Sequence, residues 1–264
     1  MGAQAKEGGN SMLKIEAMTQ RYGDFCALRD VSFTIPDGSI LGLIGPNGAG
    51  KTTLLNGITG MNPITSGQIE LDGVRIERMR RDEIAKIGVS RTFQNLRLFR
   101  GMTVLEHLAV AQSCGLKVVQ QFWPDRQRER ELRDRAFEIL RFLGIDSFAD
   151  SIAQELSYGD CRRVEIARAL ASSPKLLLLD EPGAGMNEEE SAAMAEQILA
   201  IRSKFSLSVM LIEHDMSIIR RCCEKVVVLN YGEKIAEGSF LEIAANEEVR
   251  KAYLGEDDDA AGTA

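Results

Sequence analysis

The 264-residue chain has few of the residues that mark several common protein classes. Its five cysteines are odd in number and form no Cys-x-x-Cys pair, so we expect neither a disulfide framework nor a zinc site. That cysteine usage favours a reducing, cytosolic compartment. No apolar run approaches the about 20 residues that a membrane-spanning helix needs. The net charge of −7 argues against a nucleic-acid-binding protein, because such proteins usually carry a basic excess.

The apolar residues, 44% of the chain, are arranged as an α/β pattern. Residues 41–44, 176–179 and 209–212 are apolar on both faces, which is typical of strands covered on both sides in a parallel sheet. Residues 31–35 and 68–71 alternate in polarity, which favours antiparallel strands with one wetter face. Together the predicted strands are residues 13–18, 31–35, 39–44, 67–71, 88–91, 176–180, 209–213 and 225–229.

The predicted domain spans residues 12–254 and contains a helical insertion. A charged segment at 125–144 carries apolar residues on one helical stripe, so residues 96–165 are predicted to form a mostly helical subdomain within the α/β core. Residues 1–11 are Gly-rich and polar, and residues 255–264 are acidic and small. We expect both ends to be flexible.

A phosphate-binding loop follows the first of the apolar strands. Residues 45–53 match the Walker A pattern G-x-x-x-x-G-K-[ST], with a strand before them and a helical run after them. Glycines let backbone N–H groups surround phosphate oxygens, and the start of the helix adds a positive end. We expect Lys51 to contact the β- and γ-phosphates of ATP and the Thr52 hydroxyl to bind Mg²⁺. The predicted ATP-binding residues here are Gly45, Pro46, Asn47, Gly48, Ala49, Gly50, Lys51, Thr52 and Thr53.

Three further residues stand where such a site needs them. Asp180 ends an apolar strand, at the sheet edge where open α/β sheets bind ligands, and is predicted to hold Mg²⁺. Glu181 is the candidate general base that polarises the attacking water. His214 ends another buried strand and is predicted to sense the γ-phosphate. Tyr22, in a loop before the Walker A strand, offers an aromatic face for adenine.

The segment at residues 156–160, Leu-Ser-Tyr-Gly-Asp, predicts a second anion site. Ser157 is predicted to begin a helix that runs to about Ala171, with N–H groups at Ser157 and Gly159 exposed to an anion. The chain already has its own phosphate loop, so the second site is interpreted as serving the ATP of another subunit. This predicts a head-to-tail dimer around two nucleotides, with residues 185–187 linking the two sites.

The order of these motifs along the chain resembles that in the ATP-binding subunits of ATP-binding cassette (ABC) transporters. The motifs are Tyr22, Walker A, the Leu-Ser-x-Gly segment, Asp180-Glu181 and His214. The resemblance implies a P-loop NTPase (RecA-like) core with an antiparallel β subdomain and a helical insertion subdomain. It also implies that Gln94 contacts Mg²⁺ or the attacking water. A more specific resemblance is to the ATPases of branched-chain amino acid importers. It rests on the amino-acid sequences of residues 91–99, 156–159, 183–187, 211–216 and 252–255.

The partners implied are a second cassette, identical or different, permease subunits in the plasma membrane and indirectly a solute-binding protein, with no nucleic acid. The chain would then sit peripherally on the cytoplasmic face of that membrane. Asp160 and Cys161 depart from the residues usual in this segment, and Asn187 replaces a common aspartate. Two alternatives remain: a lipid or lipopolysaccharide exporter ATPase, and a soluble ABC ATPase without a transport role. The longer middle insertion, with residues 122–124, and the Leu-Ser-Tyr-Gly spelling favour the importer.

Overall fold

A six-stranded sheet forms the centre of the protein. The computed structural model describes residues 11–94, 96–113 and 126–258, with side chains as far as residue 253. Neighbouring strands of the sheet run parallel, except at one edge, where the last hairpin pairs antiparallel. In spatial order the strands are β10 (Glu233–Gly238), β9 (Lys225–Asn230), β3 (Ile40–Ile44), β8 (Ser208–Ile212), β7 (Leu176–Asp180) and β6 (Val89–Arg91).

The runs that are apolar on both faces lie in the middle of this sheet, between two hydrophobic cores. In β7, Leu177 and Leu179 pack into a core shared with helices, while Leu176 and Leu178 pack into a core shared with a second sheet. All four side chains are fully buried. A strand covered on both faces has no position for a polar residue, which explains why the alternating pattern is absent there.

The second sheet is antiparallel and covers one face of the first. Leu13, Val31 and Ile69 face the shared core, whereas their sequence neighbours are more exposed. The alternation predicted for two of these strands is therefore confirmed. In spatial order the strands are β2 (Phe25–Pro36), β1 (Ser11–Tyr22), β4 (Ser66–Leu71) and β5 (Val74–Arg75).

Helices cover the other face of the central sheet, and three of them form the helical subdomain, whereas the helices Lys51–Ile58 and Arg81–Lys86 contribute to the core shared with the second sheet. The insertion was predicted at residues 96–165, and in this region the helices Val104–Ser113, Arg126–Phe142 and Tyr158–Ala171 pack on one another. Among the described residues no helix is long and apolar enough to cross a membrane. The helices are α1 (Lys51–Ile58), α2 (Arg81–Lys86), α3 (Val104–Ser113), α4 (Arg126–Phe142), α5 (Tyr158–Ala171), α6 (Glu188–Phe205), α7 (Met216–Cys222), α8 (Phe240–Ala245) and α9 (Glu247–Asp258), with short 3-10 turns at Asp146–Phe148 and Ala153–Glu155.

The structure differs from the predicted elements mainly at the sheet edges. β1 is longer than residues 13–18, because an irregularity with Ala17 in the left-handed region (φ 48°) interrupts its alternating pattern without ending the strand. β10 was not predicted, since none of its side chains is fully buried. β1 begins at Ser11 and α9 ends at Asp258, so these elements extend past the predicted 12–254. Asn95 and residues 1–10, 122–124 and 259–264 lie outside the described residues.

Candidate functional site

The Walker A loop joins β3 to α1 and depends on its glycines. Gly45 (φ 154°) and Gly50 (φ 101°) have backbone conformations that other residues rarely adopt. A Cβ at Gly45 would lie 2.2 Å from the carbonyl oxygen of Leu229, and one at Gly50 would lie 2.7 Å from Leu28 Cδ2. The loop is therefore wedged against β9 and β2, which fixes its shape.

Lys51 begins α1 and is only 8% exposed. Its ammonium group donates to the carbonyl oxygens of Gly45 (2.5 Å) and Pro46 (3.0 Å). The lysine thus lies across the loop that precedes it, and its charge is placed at the concave side where N–H groups converge.

A cavity of about 380 Å³ opens over this loop. It brings most of the predicted loop residues together with Gln94 and Glu181, which are distant in sequence. The predicted residues Gly45, Pro46, Asp180 and His214 do not line it. Its lining is Phe25, Ala27, Asn47, Gly48, Ala49, Gly50, Lys51, Thr52, Thr53, Gln94 and Glu181.

Glu181 is held by two of the predicted catalytic residues. Gln94 Nε2 donates to Glu181 Oε2 at 2.6 Å, and His214 Nε2 lies 2.9 Å from Glu181 Oε1. Glu181 has a left-handed backbone (φ 51°), and its N–H donates to the carbonyl of Ile212 in the neighbouring strand. Non-glycine residues in this region are uncommon and cluster at functional sites. An ionised carboxylate has more acceptor positions than these two bonds use, so it can also accept from a water.

Asp180, at the end of β7, makes a buried ion pair that sequence reasoning missed. Arg91 Nη2 is 2.8 Å from Asp180 Oδ2, and the two side chains are 6% and 9% exposed. Arg91 also donates to Asn56 Oδ1 in α1 at 2.8 Å. Arg91 and Asp180 come together because β6 lies directly beside β7 in the sheet.

The residues present fit a magnesium ion that is shared with phosphates. Within the described ranges, no group of three or more His, Cys, Asp and Glu side chains is arranged to hold a metal alone. Mg²⁺ usually binds through one or two carboxylates together with substrate phosphates. Thr52 and Gln94 line the cavity, and Asp180 directly precedes Glu181, which also lines it, so these predicted ligands remain the residues that would hold the ion.

Removing the Arg91 side chain should destabilise the protein strongly. Arg91→Met leaves the Asp180 carboxylate buried without its partner, and the expected loss in free energy of unfolding is about 3–5 kcal/mol. Urea unfolding followed by circular dichroism measures it. The control Arg29→Met breaks an ion pair with Glu233 in which both side chains are exposed (62% and 50%), and should cost less than about 1 kcal/mol. Equal losses in the two variants would contradict the importance of the buried pair.

Phe25 lines the cavity, whereas Tyr22 does not. Tyr22 and Phe25 face each other at the β1–β2 hairpin. The Tyr22 hydroxyl accepts from Asn62 Nδ2 at 2.9 Å, and its side chain is half-exposed. Phe25 is 68% exposed at the rim of the cavity. Stacking of adenine on Tyr22 stays a prediction, and Phe25 is a second aromatic that the sequence analysis overlooked because its neighbours carry no motif.

Ser157 caps α5, as predicted. Its Oγ accepts from the backbone N–H of Asp160 at 3.2 Å and donates to Asp160 Oδ2 at 2.6 Å. Gly159 lines a different cavity, of about 660 Å³, which it shares with Gly185 and Met186. Ser157 and Gly159 are absent from the lining of the Walker A cavity. Their service to another subunit's nucleotide stays a prediction.

The two departures in this segment have local structural roles. Asp160 accepts the Ser157 hydroxyl and pairs with Arg163 on the first turn of α5, where a negative charge is favourable. Cys161 Sγ donates to the carbonyl of Ala153 at 3.4 Å, and burial raises the pKa of its thiol. Neither residue disturbs the start of the helix. Asn187 similarly caps α6, with Glu190 completing the capping box.

His107 has a structural role. It is buried in α3, where its Nε2 accepts from the N–H of Phe99 at 2.9 Å and its Nδ1 donates to the carbonyl of Thr103 at 2.8 Å. Burial lowers its pKa. Both ring nitrogens are used by the neutral imidazole, so this residue holds the segment after Gln94 in place.

Comparisons with known proteins agree with this geometry. A family described as ABC transporter matches residues 28–184, and one described as branched-chain amino acid ATP-binding cassette transporter matches residues 233–259. The chain is 40% identical over 253 residues to the high-affinity branched-chain amino acid transport ATP-binding protein BraF of Pseudomonas aeruginosa, covering 93% of this chain and 98% of BraF. It is 34% identical over 246 residues to the lipopolysaccharide export system ATP-binding protein LptB of Haemophilus influenzae, covering 93% and 98%.

Solved structures show the same fold. The ADP conformation of MJ1267, an ATP-binding cassette of an ABC transporter, superimposes with a TM-score of 0.82 at 32% identity, over 93% of this chain and 99% of MJ1267. A dimeric structure of MJ0796, a bacterial ABC transporter cassette, gives 0.75 at 27% identity, over 87% and 99%.

Proposed function

Because the chain belongs to the ATP-binding cassette family of transporter ATPases, we propose that it powers an importer of branched-chain or related amino acids. The chain is an ATPase with a P-loop NTPase fold. The observation that carries the catalytic part is the Glu181 carboxylate, held by Gln94 and His214 at the mouth of the Walker A cavity.

In the proposed reaction each residue acts through its position. Lys51 and the loop N–H groups bind the β- and γ-phosphates, and Thr52, Asp180 and Gln94 hold Mg²⁺. The ion, when bound, neutralises the charge that develops on the transferred phosphate. Glu181 accepts a hydrogen bond from the attacking water and draws its proton away. The bonds from Gln94 and His214 fix the direction in which that carboxylate faces.

The second proposed part is a head-to-tail dimer of cassettes. Ser157 and Gly159 present a helix N-terminus that does not line their own chain's nucleotide cavity. An anion site of this kind suits the γ-phosphate of a partner's ATP. The dimeric MJ0796 structure supports an assembly of two cassettes. Loss of the γ-phosphate would then remove a shared contact and reopen the pair.

The amino-acid substrate is the most specific part of the proposal. The match at residues 233–259 and the 40% identity to BraF support it over lipopolysaccharide export, for which the identity to LptB is 34%. In either case the cassette would dock on permease subunits at the cytoplasmic face of the plasma membrane. A soluble role without a permease has no feature in its favour.

Reconstitution tests this assignment. A tagged chain purified with its membrane subunits and placed in proteoliposomes with the solute-binding protein should accumulate labelled leucine, isoleucine or valine when ATP is supplied on the cassette side. Liposomes carrying the Glu181→Gln chain are the control and should accumulate none. Extraction of lipopolysaccharide without amino-acid uptake would favour the exporter. Purification without membrane subunits would contradict a transport role.

A further inference from the structure

Helix α5 binds the backbone immediately before Gln94. The guanidinium of Arg162 donates from Nη1 to the carbonyl of Phe93 at 3.4 Å. The N–H of Phe93 donates to Glu165 Oε1, also at 3.4 Å. The backbone N–H and the backbone carbonyl of Phe93 are therefore both hydrogen-bonded to side chains of a single helix.

The same helix also binds the backbone after Gln94. Arg168 Nη1 donates to the carbonyl of Arg97 at 2.5 Å, and its Nη2 lies 3.6 Å from Glu165 Oε1. The two sides of the Gln94 segment thus meet at one carboxylate on α5.

The Phe93 ring adds a second restraint. Two guanidinium groups lie over it, with Arg97 Cζ 4.2 Å and Arg91 Cζ 5.0 Å from the ring centroid. Cations over an aromatic face are attracted to it, so both arginines hold the ring. Arg91 in turn is fixed by Asp180, which anchors this part of the segment to the central sheet.

These contacts bury charge that is incompletely paired. Arg162 is 3% exposed and Glu165 is 1% exposed. Arg162 Nε and Glu165 Oε2 are buried and have no hydrogen-bond partner. Burial raises the pKa of Glu165 and lowers that of Arg168. Buried charge of this kind is unfavourable for stability, and an apolar helix face would pack here at lower cost. Its presence indicates a requirement other than stability.

The geometry points to that requirement. We propose that Arg162, Glu165 and Arg168 are positioning residues for Gln94, which set its reach to the Glu181 carboxylate. Gln94 Nε2 is 2.6 Å from Glu181 Oε2, so a small shift of the segment breaks this bond. The proposal rests on the catalytic role of Glu181 proposed above. Because α5 begins at Ser157, it also links the predicted partner-phosphate site to the chain's own catalytic carboxylate through one rigid element.

A double-mutant cycle tests the proposal. Arg168→Ala should lower kcat about 10- to 100-fold, because displacement by about 1 Å has effects of this size, while KM for ATP stays within about twofold. Gln94→Ala should lower kcat by a similar factor. Arg168→Ala in the Gln94→Ala background should then have little further effect, since both changes remove the same interaction. Single-turnover release of labelled phosphate measures these rates.

Matched variants separate positioning from loss of structure. Arg133→Ala removes an exposed arginine of α4 and should leave kcat and Tm unchanged. Arg168→Lys keeps a donor for the Arg97 carbonyl and should recover most of the activity. If Arg168→Ala does not fold, Glu165→Gln, which keeps the side-chain shape, takes its place in the cycle.

Two results would overturn the proposal. One is a double variant whose kcat falls by the product of the two single-variant factors for Arg168→Ala and Gln94→Ala. The other is a normal kcat in Arg168→Ala alone. Failure of the proposed catalytic role would show differently, as near-normal turnover in Glu181→Gln whatever the cycle gives.

Discussion

Glu181→Gln should leave ATP binding intact while lowering turnover by at least ~10²-fold, the usual contribution of a general base. The substitution keeps the size of the side chain but removes the charge that draws a proton from water. Binding should persist because the proposed phosphate contacts come from the loop at residues 45–53 and from α1, which the substitution leaves unchanged. Steady-state phosphate release and equilibrium titration with ATP measure the two properties.

The Glu181→Gln result has a control and a clear negative outcome. Glu138→Gln removes the same charge from an exposed ion pair with Lys204, neither residue of which lines the Walker A cavity, and should not change turnover. Closed dimers of Glu181→Gln should also accumulate with ATP, because the γ-phosphate that bridges them is not removed, and light scattering would detect them. Near-normal hydrolysis in Glu181→Gln would exclude this residue as the base.

Ser157→Arg should abolish turnover, by ~10²-fold or more, without weakening ATP binding to the isolated chain. The arginine would fill the helix N-terminus that is predicted to meet the partner's γ-phosphate. ATP affinity should not change, since Ser157 does not line the Walker A cavity of its own chain. Loss of ATP binding by the Ser157→Arg monomer would refute the interpretation that Ser157 serves the ATP of a partner chain.

Ser239→Arg is the matched control for Ser157→Arg. Ser239 caps α8 by accepting from the Glu242 N–H, so the variant loses a comparable helix cap, about 0.5–2 kcal/mol, at a residue outside the cavity that Gly159 lines. Its turnover should be normal.

Mixing two inactive chains gives the sharpest test. Ser157→Arg has an intact Glu181, and Glu181→Gln has an intact Ser157. If the sites form across the interface, mixed dimers contain one complete site and recover a measurable fraction of activity. No recovery would indicate that each chain uses its own Ser157.

The sequence predicted elements whose residues carry local signals. The strands β3, β7 and β8 were recognisable because both of their faces are buried, and α5 because Ser157 caps its start. The loop glycines were recognisable because no other residue fits their backbone. These signals are short-range, and the comparisons confirm the fold they predicted.

Contacts between distant segments were not predictable in the same way. Arg91 meets Asp180 only because β6 and β7 become neighbours, and Phe25 reaches the cavity only because the β1–β2 hairpin folds towards the loop. β10 carried no strand pattern because its side chains are half-covered on both faces. A single sequence does not reveal which segments will be brought together.

The order of the central strands has a consequence during synthesis. β3, which carries the Walker A loop, is flanked by β8 and β9, both made after most of the chain has been translated. At an elongation rate of about 5–20 residues per second the ribosome needs on the order of tens of seconds to get from β3 to β9. During that interval an apolar strand with two unpaired edges is exposed on the nascent chain. We therefore expect the nascent chain to depend on chaperones after β3 has been made and before β9 is complete. Protection of the chain from proteolysis by nucleotide should appear only once residue 230 has emerged from the ribosome.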